Sequence, residues 1–336
     1  MYNAVLIGLG RIGSLYNEDL RMNRSIEYPT HGKVLSQHPE YKWIAAVDPN
    51  VEACQYAKDV WGIENVATSI DHLTCRDKAE IVILATPPDT REEIVEKFPS
   101  LVAIIVEKPL GNSLKEAQSF IEYCYSRNIQ VQVNLTRRSD ELMKSLSGSG
   151  IYDRIGYVQN VYGTYGRGLR NYGIHLIDLV RFLIGEIATA QAIAKIDDLD
   201  EGPMENDLNI IFVLETFDNT RIIFQPLNFN HYREGLIDIW GEKGRIEITN
   251  EGLTYCETPS GNCRSLEGAT ELVAEKRYYK KTGYGVSLYN LYSNLISTLS
   301  GDTSLDSPGS SALVSESVVE ALFKSYEMGG SVVRLN

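Results

Sequence analysis

The first thirteen residues read MYNAVLIGLGRIG (1–13), an apolar run at 4–7 that ends in Gly8-Leu9-Gly10-Arg11-Ile12-Gly13. A short run of branched aliphatics closed by glycine is the pattern of a strand buried on both faces. In a Gly-x-Gly-x-x-Gly turn after such a strand, the first glycine, here Gly8, permits the tight turn. Gly10 would let a pyrophosphate approach the backbone, and Gly13 would let the next helix pack against the strand. Arg11 and Ile12, at the start of that helix, would offer backbone N–H groups to the phosphates.

Working outward, further apolar runs lie at 43–47, 81–85, 103–106 and 130–133, with helix candidates between them at 52–61, 89–98 and 113–127. Ser113 and Glu116 form a capping box at the head of the last of these. Strand–helix alternation of this kind predicts an α/β fold, a doubly wound parallel sheet of Rossmann type over 1–135. The second strand ends at Asp48, where a carboxylate can accept both adenosine ribose hydroxyls and repel a 2′-phosphate. Pro49 and Asn50 bring no cation for that phosphate, so NAD is favoured over NADP. A cap for the following helix is the plainer role for Asp48. Asp48 lies 48 − 13 = 35 positions after Gly13, where about 20 is expected. The excess falls within 17–30, either a loop over the cofactor or substrate mouth or a tolerated surface insertion, with the helix resuming near His31.

Two further turns lie past the carboxyl ends of strands, the edge where doubly wound sheets bind ligands. Ala85-Thr86-Pro87-Pro88 should touch the cofactor through Thr86 and Pro87. Glu107-Lys108-Pro109 shares that edge, and the Lys108 ammonium suits a substrate hydroxyl and the charge that develops as hydride leaves. Pro109 biases Lys108 towards extended backbone. A Glu107–Lys108 salt bridge at the strand end is the plainer alternative.

Beyond residue 139 the pattern changes to short strands at 208–214, 220–224, 236–240 and 245–249, joined by turns at 218–219 and 242–244. This predicts a second domain over 136–336, a mostly antiparallel open sheet flanked by helices at 172–183, 286–299 and 311–326. His175 and Asp178, three apart on an apolar helix, share one face. A histidine suits reversible proton transfer, although one on an apolar helix is more often a core residue.

The composition narrows the function classes. Among 336 residues, Asp+Glu is 45 and Lys+Arg 32, a formal charge of −13, which argues against nucleic acid or an anionic membrane surface as partner. Hydrophobic residues at 43% and charged ones at 23% describe an ordered globular chain. No run reaches the roughly 20 apolar residues of a membrane helix. The start lacks a basic n-region, so a cytoplasmic protein is expected. Cys54, Cys75, Cys124, Cys256 and Cys263 form no C-x-x-C pair and read as reduced thiols. The five histidines form no ligand pair, and no metal is expected.

These pieces together resemble the Gfo/Idh/MocA oxidoreductases, the glucose-fructose oxidoreductase and inositol dehydrogenase family. The resemblance rests on GLGRIG (8–13), AAVD ending at Asp48, ATPPDTR (85–91), VEKPLGNSLKEA (106–117), GRGLRNYGIHLIDLVRFLIGE (166–186) and IWGEKGRIEI (239–248). It implies hydride transfer with a sugar, cyclitol or sugar derivative, with surface-glycan sugar synthesis as one setting. It also implies a homodimer or homotetramer through the C-terminal sheet. Lys108 matches the family's E-K-P lysine and His175 the histidine of G-x-H-x-x-D, so His175 is expected as general acid/base and Lys108 as its electrostatic partner, or the reverse. The family's acid four residues before that histidine is Asn171 here, an amide that can hold a substrate but carry no proton away. Asn134, Arg138, Tyr165 and Arg167 are candidate pocket residues, and Arg137 is either another or a surface charge. Arg91 stands near a position where the family often has histidine and reads as a solvated helix residue. Two rivals accompany the dehydrogenase: a redox-neutral NAD-dependent glycosidase or lyase, and a non-catalytic sugar- or NAD-sensing regulator, to which Asn171 gives room.

Overall fold

A computed structural model describes residues 1–197, 199, 202–262 and 268–335; Cys263 lies outside them. The chain forms two compact units, Met1–Ser139 with Tyr284–Leu313, and Asp140–Gly283 with Val314–Asn336. A single cut near 135 therefore misses one feature. Residues 284–313 return to the first unit.

In the first unit, strands β1 (Tyr2–Ile7), β2 (Tyr41–Val47), β3 (Val66–Ala67), β4 (Ile81–Leu84), β5 (Ala103–Val106) and β6 (Gln130–Val133) pair in parallel, in the order β3-β2-β1-β4-β5-β6. Every residue of β4 and β5 is buried, which is why both read as unbroken aliphatic runs. Helices α1 (His31–Gln37), α2 (Val51–Trp61), α3 (Arg91–Glu96) and α4 (Leu114–Ser126) cross between strands. Thr30, Asn50 and Ser113 cap α1, α2 and α4 by accepting backbone N–H groups two or three residues on.

No α-helix follows the glycine turn directly. Residues 15–18 and 22–24 make short 3-10 turns, and α1 begins at His31, where the sequence places the helix's resumption. The inserted segment is tied down: Glu27 and Tyr28 donate their N–H groups to the Gly285 carbonyl at 3.0 and 3.2 Å. The helix Ser287–Leu299, expected against the second sheet, instead buries Leu288, Leu291, Tyr292, Leu295 and Ile296 with Leu6, Val34, Ile83 and Ile105 of the first unit. Each such side chain contributes about 2 kcal/mol by leaving water.

The second unit holds α5 (Glu141–Leu146), α6 (Gly150–Ile155) and α7 (Ile174–Leu183), with β7 (Val158–Tyr165), β8 (Ile187–Lys195), β9 (Ile210–Thr216), β10 (Arg221–Pro226), β11 (Leu236–Gly241), β12 (Gly244–Thr249), β13 (Thr254–Asn262), β14 (Thr270–Leu272), β15 (Tyr278–Lys281) and β16 (Val333–Arg334). The sheet is mixed, mostly antiparallel, with β7 and β10 parallel. β9 and β10 alternate buried and more exposed residues, so one face packs Phe212, Leu214, Ile222 and Phe224 against α7 and the helix Gly309–Glu327. No described helix is long and apolar enough to cross a membrane.

Candidate functional site

In the first unit, the glycine turn, the 85–88 turn, the 107–109 loop and Asn134 follow the carboxyl ends of β1, β4, β5 and β6, which are consecutive neighbours in the sheet. Gly8 has φ +93°, and a Cβ there would stand 2.3 Å from the Ala85 carbonyl oxygen; a Cβ on Gly13 would stand 2.1 Å from the Gly8 oxygen. Gly10 differs, since a Cβ there would meet nothing within 4 Å. Two glycines thus shape the turn, and the third leaves open space above it. Arg11 is exposed and Ile12 half-buried beside that space.

Asp48 is bound to this turn. Leu9 donates its N–H to Asp48 Oδ2 at 2.7 Å and Asn50 donates to Oδ1 at 2.8 Å. Asn50 caps α2, so capping is not the aspartate's task. A carboxylate has about four acceptor sites, and these two bonds leave the half-buried oxygens room for ribose hydroxyls.

Arg91 corrects the sequence expectation. It is 1% exposed, and its guanidinium donates to the Pro109 carbonyl at 2.5 Å and the Thr86 carbonyl at 2.8 Å. It pins the 85–88 turn to the Glu-Lys-Pro loop. The Lys108–Pro109 peptide is cis.

Glu107 reaches beyond its neighbour Lys108. Its Oε1 accepts from Asn134 Nδ2 and lies 3.0 Å from His31 Nε2. Burial pushes its carboxyl up, but the hydrogen bonds from His31 and Asn134 and the Lys108 charge outweigh this and hold it below its ordinary value. Lys108 is half-buried. On either side of it, the Thr86 hydroxyl and the Asn134 amide oxygen are buried with no hydrogen-bond partner among the described residues. Two orphaned polar atoms flanking a lysine at a ligand-binding edge suit a polar ring substituent and a substrate oxygen. With the space over Gly10 and the placement of Asp48, the first unit fits a dinucleotide. Pro87 is exposed on the same turn. Arg137 and Arg138 are buried rather than surface charges, Arg137 lying 4.8 Å from the Tyr284 ring centroid.

In the second unit, a π-helical turn, Leu169–Gly173, leads into α7. Along α7 only His175 and Phe182 escape full burial. Tyr172 stacks edge-on to His175 at 6.1 Å and to Phe229 at 5.3 Å, while the Arg233 guanidinium lies 5.8 Å from both aromatic rings, Tyr172 and Phe229. The turn is held by Asp207, which the sequence did not single out. Its Oδ1 accepts the Arg170 N–H at 2.9 Å and its Oδ2 the Asn171 N–H at 2.8 Å. The Asn171 amide in turn donates to the Arg167 carbonyl at 3.0 Å, where Arg167 sits at φ +59°. Asn171 therefore does local work that a carboxylate cannot do.

Tyr165 leaves the candidate pocket. It is 0% exposed, its hydroxyl donates to the Ile210 carbonyl and accepts the Ile210 N–H, both at 2.7 Å, and it packs on Phe212. Asp178 accepts from Ser315 at 2.9 Å and stands 3.5 Å from Arg181, whose guanidinium also grips Glu186 twice at 2.8 Å. That network anchors α7. Tyr172, Phe229, Arg233 and Asp207 had no spacing signal, because their neighbourhood arises from β9–β11 folding back on α7.

The comparisons with known proteins agree with this layout. Residues 2–135 match the family model described as "Oxidoreductase family, NAD-binding Rossmann fold", and residues 156–247 match the GFO/IDH/MocA C-terminal domain. Inositol 2-dehydrogenase of Rhizobium meliloti is 24% identical over 278 residues, covering 76% of this chain and 78% of that protein. A levoglucosan dehydrogenase solved with NADH and levoglucosan superposes with TM-score 0.76 at 17% identity, over 100% of this chain and 99% of that one. The WlbA dehydrogenase of Bordetella pertussis, solved with NADH and UDP-GlcNAcA, gives 0.74 at 19%, over 100% and 99%. With both family models matched in order and the fold in agreement, this chain belongs to the Gfo/Idh/MocA oxidoreductases.

Proposed function

We propose that the protein is an NAD-dependent dehydrogenase that interconverts a secondary hydroxyl and a ketone on a sugar or cyclitol. The observation that carries this reading is the half-buried Lys108 at the carboxyl edge of a dinucleotide-type sheet, set between the unpartnered Thr86 hydroxyl and Asn134 amide oxygen. NAD, when bound, supplies the hydride acceptor at its nicotinamide ring. The glycine turn binds the phosphates, with Arg11 and Ile12 beside them, and Asp48 takes the adenosine ribose. Lys108 donates to the substrate oxygen and stabilises its developing charge. His175 takes the hydroxyl proton in oxidation and returns it in reduction. Asn171 and Arg167 shape the turn that leads to His175 and line its side of the substrate, and Arg138 offers a cation to acidic sugars. That relatives are named for inositol and levoglucosan supports a polyol ring as the substrate class.

The test is absorbance at the NADH band while purified protein and NAD meet a panel of cyclitols, aldoses and sugar acids. NADH formation with one member, abolished in Lys108→Met and His175→Gln, is the expected result. Tightly retained NAD with substrate conversion but no net NADH would favour the redox-neutral reading. NAD binding with silence across the panel would favour the regulator.

We also propose a cytoplasmic homo-oligomer. Cys54, Cys75, Cys124 and Cys256 are free and buried, and burial pushes the Cys124 thiol up to about 12, as suits inert reduced thiols. Ile193, Ile223 and Trp240 are exposed along the sheet of the second unit, a surface suited to a second copy. Light scattering reads the assembly directly.

A further inference from the structure

The inserted segment ends at a histidine that the reaction scheme does not use. His31 is 0% exposed, and both ring nitrogens are engaged: Nδ1 lies 2.8 Å from the Tyr292 hydroxyl and Nε2 3.0 Å from Glu107 Oε1. Its backbone is engaged as well. The His31 N–H donates to the Ile12 carbonyl at 3.0 Å, and the next residue, Gly32, donates to the Gly13 carbonyl at 2.8 Å. One residue thus ties the glycine turn to the Glu-Lys-Pro loop, across the two ends of the dinucleotide site.

The proton count fixes its orientation. A carboxylate only accepts, so Nε2 carries the hydrogen that meets Glu107. In the neutral ring Nδ1 then accepts from Tyr292, itself fully buried, whose backbone carbonyl accepts the Tyr41 hydroxyl at 2.9 Å. Glu107 shares the same Oε1 with Asn134 Nδ2. Among the described residues, Glu107 and Tyr292 hydrogen-bond the imidazole, the Lys108 charge acts on Glu107, and the Tyr41 hydroxyl donates to the Tyr292 carbonyl.

We propose that His31 is a positioning residue for the reaction: its imidazole fixes the Glu107 carboxylate, and through it the loop that presents Lys108, while its backbone fixes the glycine turn. This rests on the dehydrogenase reading above. The role of the 17–30 insertion follows. Rather than covering the mouth or decorating the surface, it delivers His31 from outside the usual strand–turn–helix path.

The experiment compares wild type, His31→Leu and His31→Gln, the last keeping an amide N–H near the place of Nε2. His31→Leu is expected to lower kcat by about 10–100-fold, with substrate KM within about threefold, because Lys108 acts on the transition state. It should also weaken NAD binding by about tenfold in calorimetry, and His31→Gln should restore most of both losses. Nitrogen-15 NMR of the wild type without cofactor should show His31 as the Nε2–H tautomer. A folded His31→Leu with kcat and NAD affinity within twofold of wild type, or an Nδ1–H tautomer, overturns the proposal. If wild type turns over no polyol, the dehydrogenase reading falls instead, and the NAD titration and the tautomer still decide the place of His31.

Discussion

Asp207 holds the turn that carries Asn171: its Oδ2 accepts the Asn171 N–H at 2.8 Å, while Oδ1 takes the N–H of Arg170. Both donors would be left without this acceptor in Asp207→Ala, and an unsatisfied buried N–H costs about 1–3 kcal/mol. The variant should unfold earlier and lose about tenfold or more in kcat/KM as the turn before His175 loosens. Chemical denaturation and steady-state kinetics read the two effects.

The same turn sets the outcome for Asn171→Asp. That change brings back the family's acid but removes the donor to the Arg167 carbonyl and adds a second negative charge beside Asp207. Stability should fall by about 1–2 kcal/mol, and activity should fall with it. A more active Asn171→Asp would refute the structural account of this amide.

Gly8 and Gly10 should separate folding from binding. Gly8→Ala forces a Cβ to 2.3 Å from the Ala85 oxygen at φ +93°, so it should cost about 3 kcal/mol or more, or prevent folding. Gly10→Ala meets only open space, so its Tm should stay within about 2 °C of wild type while its NAD dissociation constant rises at least about tenfold. Thermal melts with and without NAD make the comparison.

We propose that Lys108 and His175 act on one transition state. Each single substitution, to Met and Gln, should lower kcat/KM by about 10²–10⁴. The double variant should fall far short of the product of the two losses. Strict multiplication would assign them separate functions.

Asp140 gives a dependence on pH. Burial pushes its carboxyl above the ordinary value, although its Oδ1 caps α5 by accepting from Leu142 and Met143. With the folded pKa above the unfolded one, the protonated form is favoured on folding, so the cost of the charge is absent below the unfolded value, builds as pH rises through the folded value and is constant above it. Asp140→Asn keeps the capping oxygen and drops the charge. It should be more stable than wild type at pH 7, with the gap closing below pH 3.8; urea unfolding at both values checks the sign.

What the sequence reveals here is what neighbouring residues decide. The β1 run, the glycine turn after it and the start of α1 at His31 are all set within a few dozen residues. The partners of His31 are not, since Glu107 and Tyr292 lie 76 and 261 positions away. Arg91 reads as a solvated helix residue because its partners are backbone carbonyls, which leave no mark in the sequence. Tyr165 reads as a pocket residue because a strand residue beside a motif faces either the site or the core, and the register of β7 turns it inward. β8 and β13 escaped notice because alanines in one, and Pro259 and Gly261 in the other, blur the strand pattern.

The return of residues 284–313 also orders events at the ribosome. When residues 1–139 have emerged, the face of the sheet that takes Leu291, Tyr292 and Leu295 is still bare, and the chain must be made through the whole of 140–283 before its cover arrives. The unit begun first is therefore completed nearly last. Until residue 313 is made, the nascent nucleotide fold stays unfinished, with that apolar face uncovered.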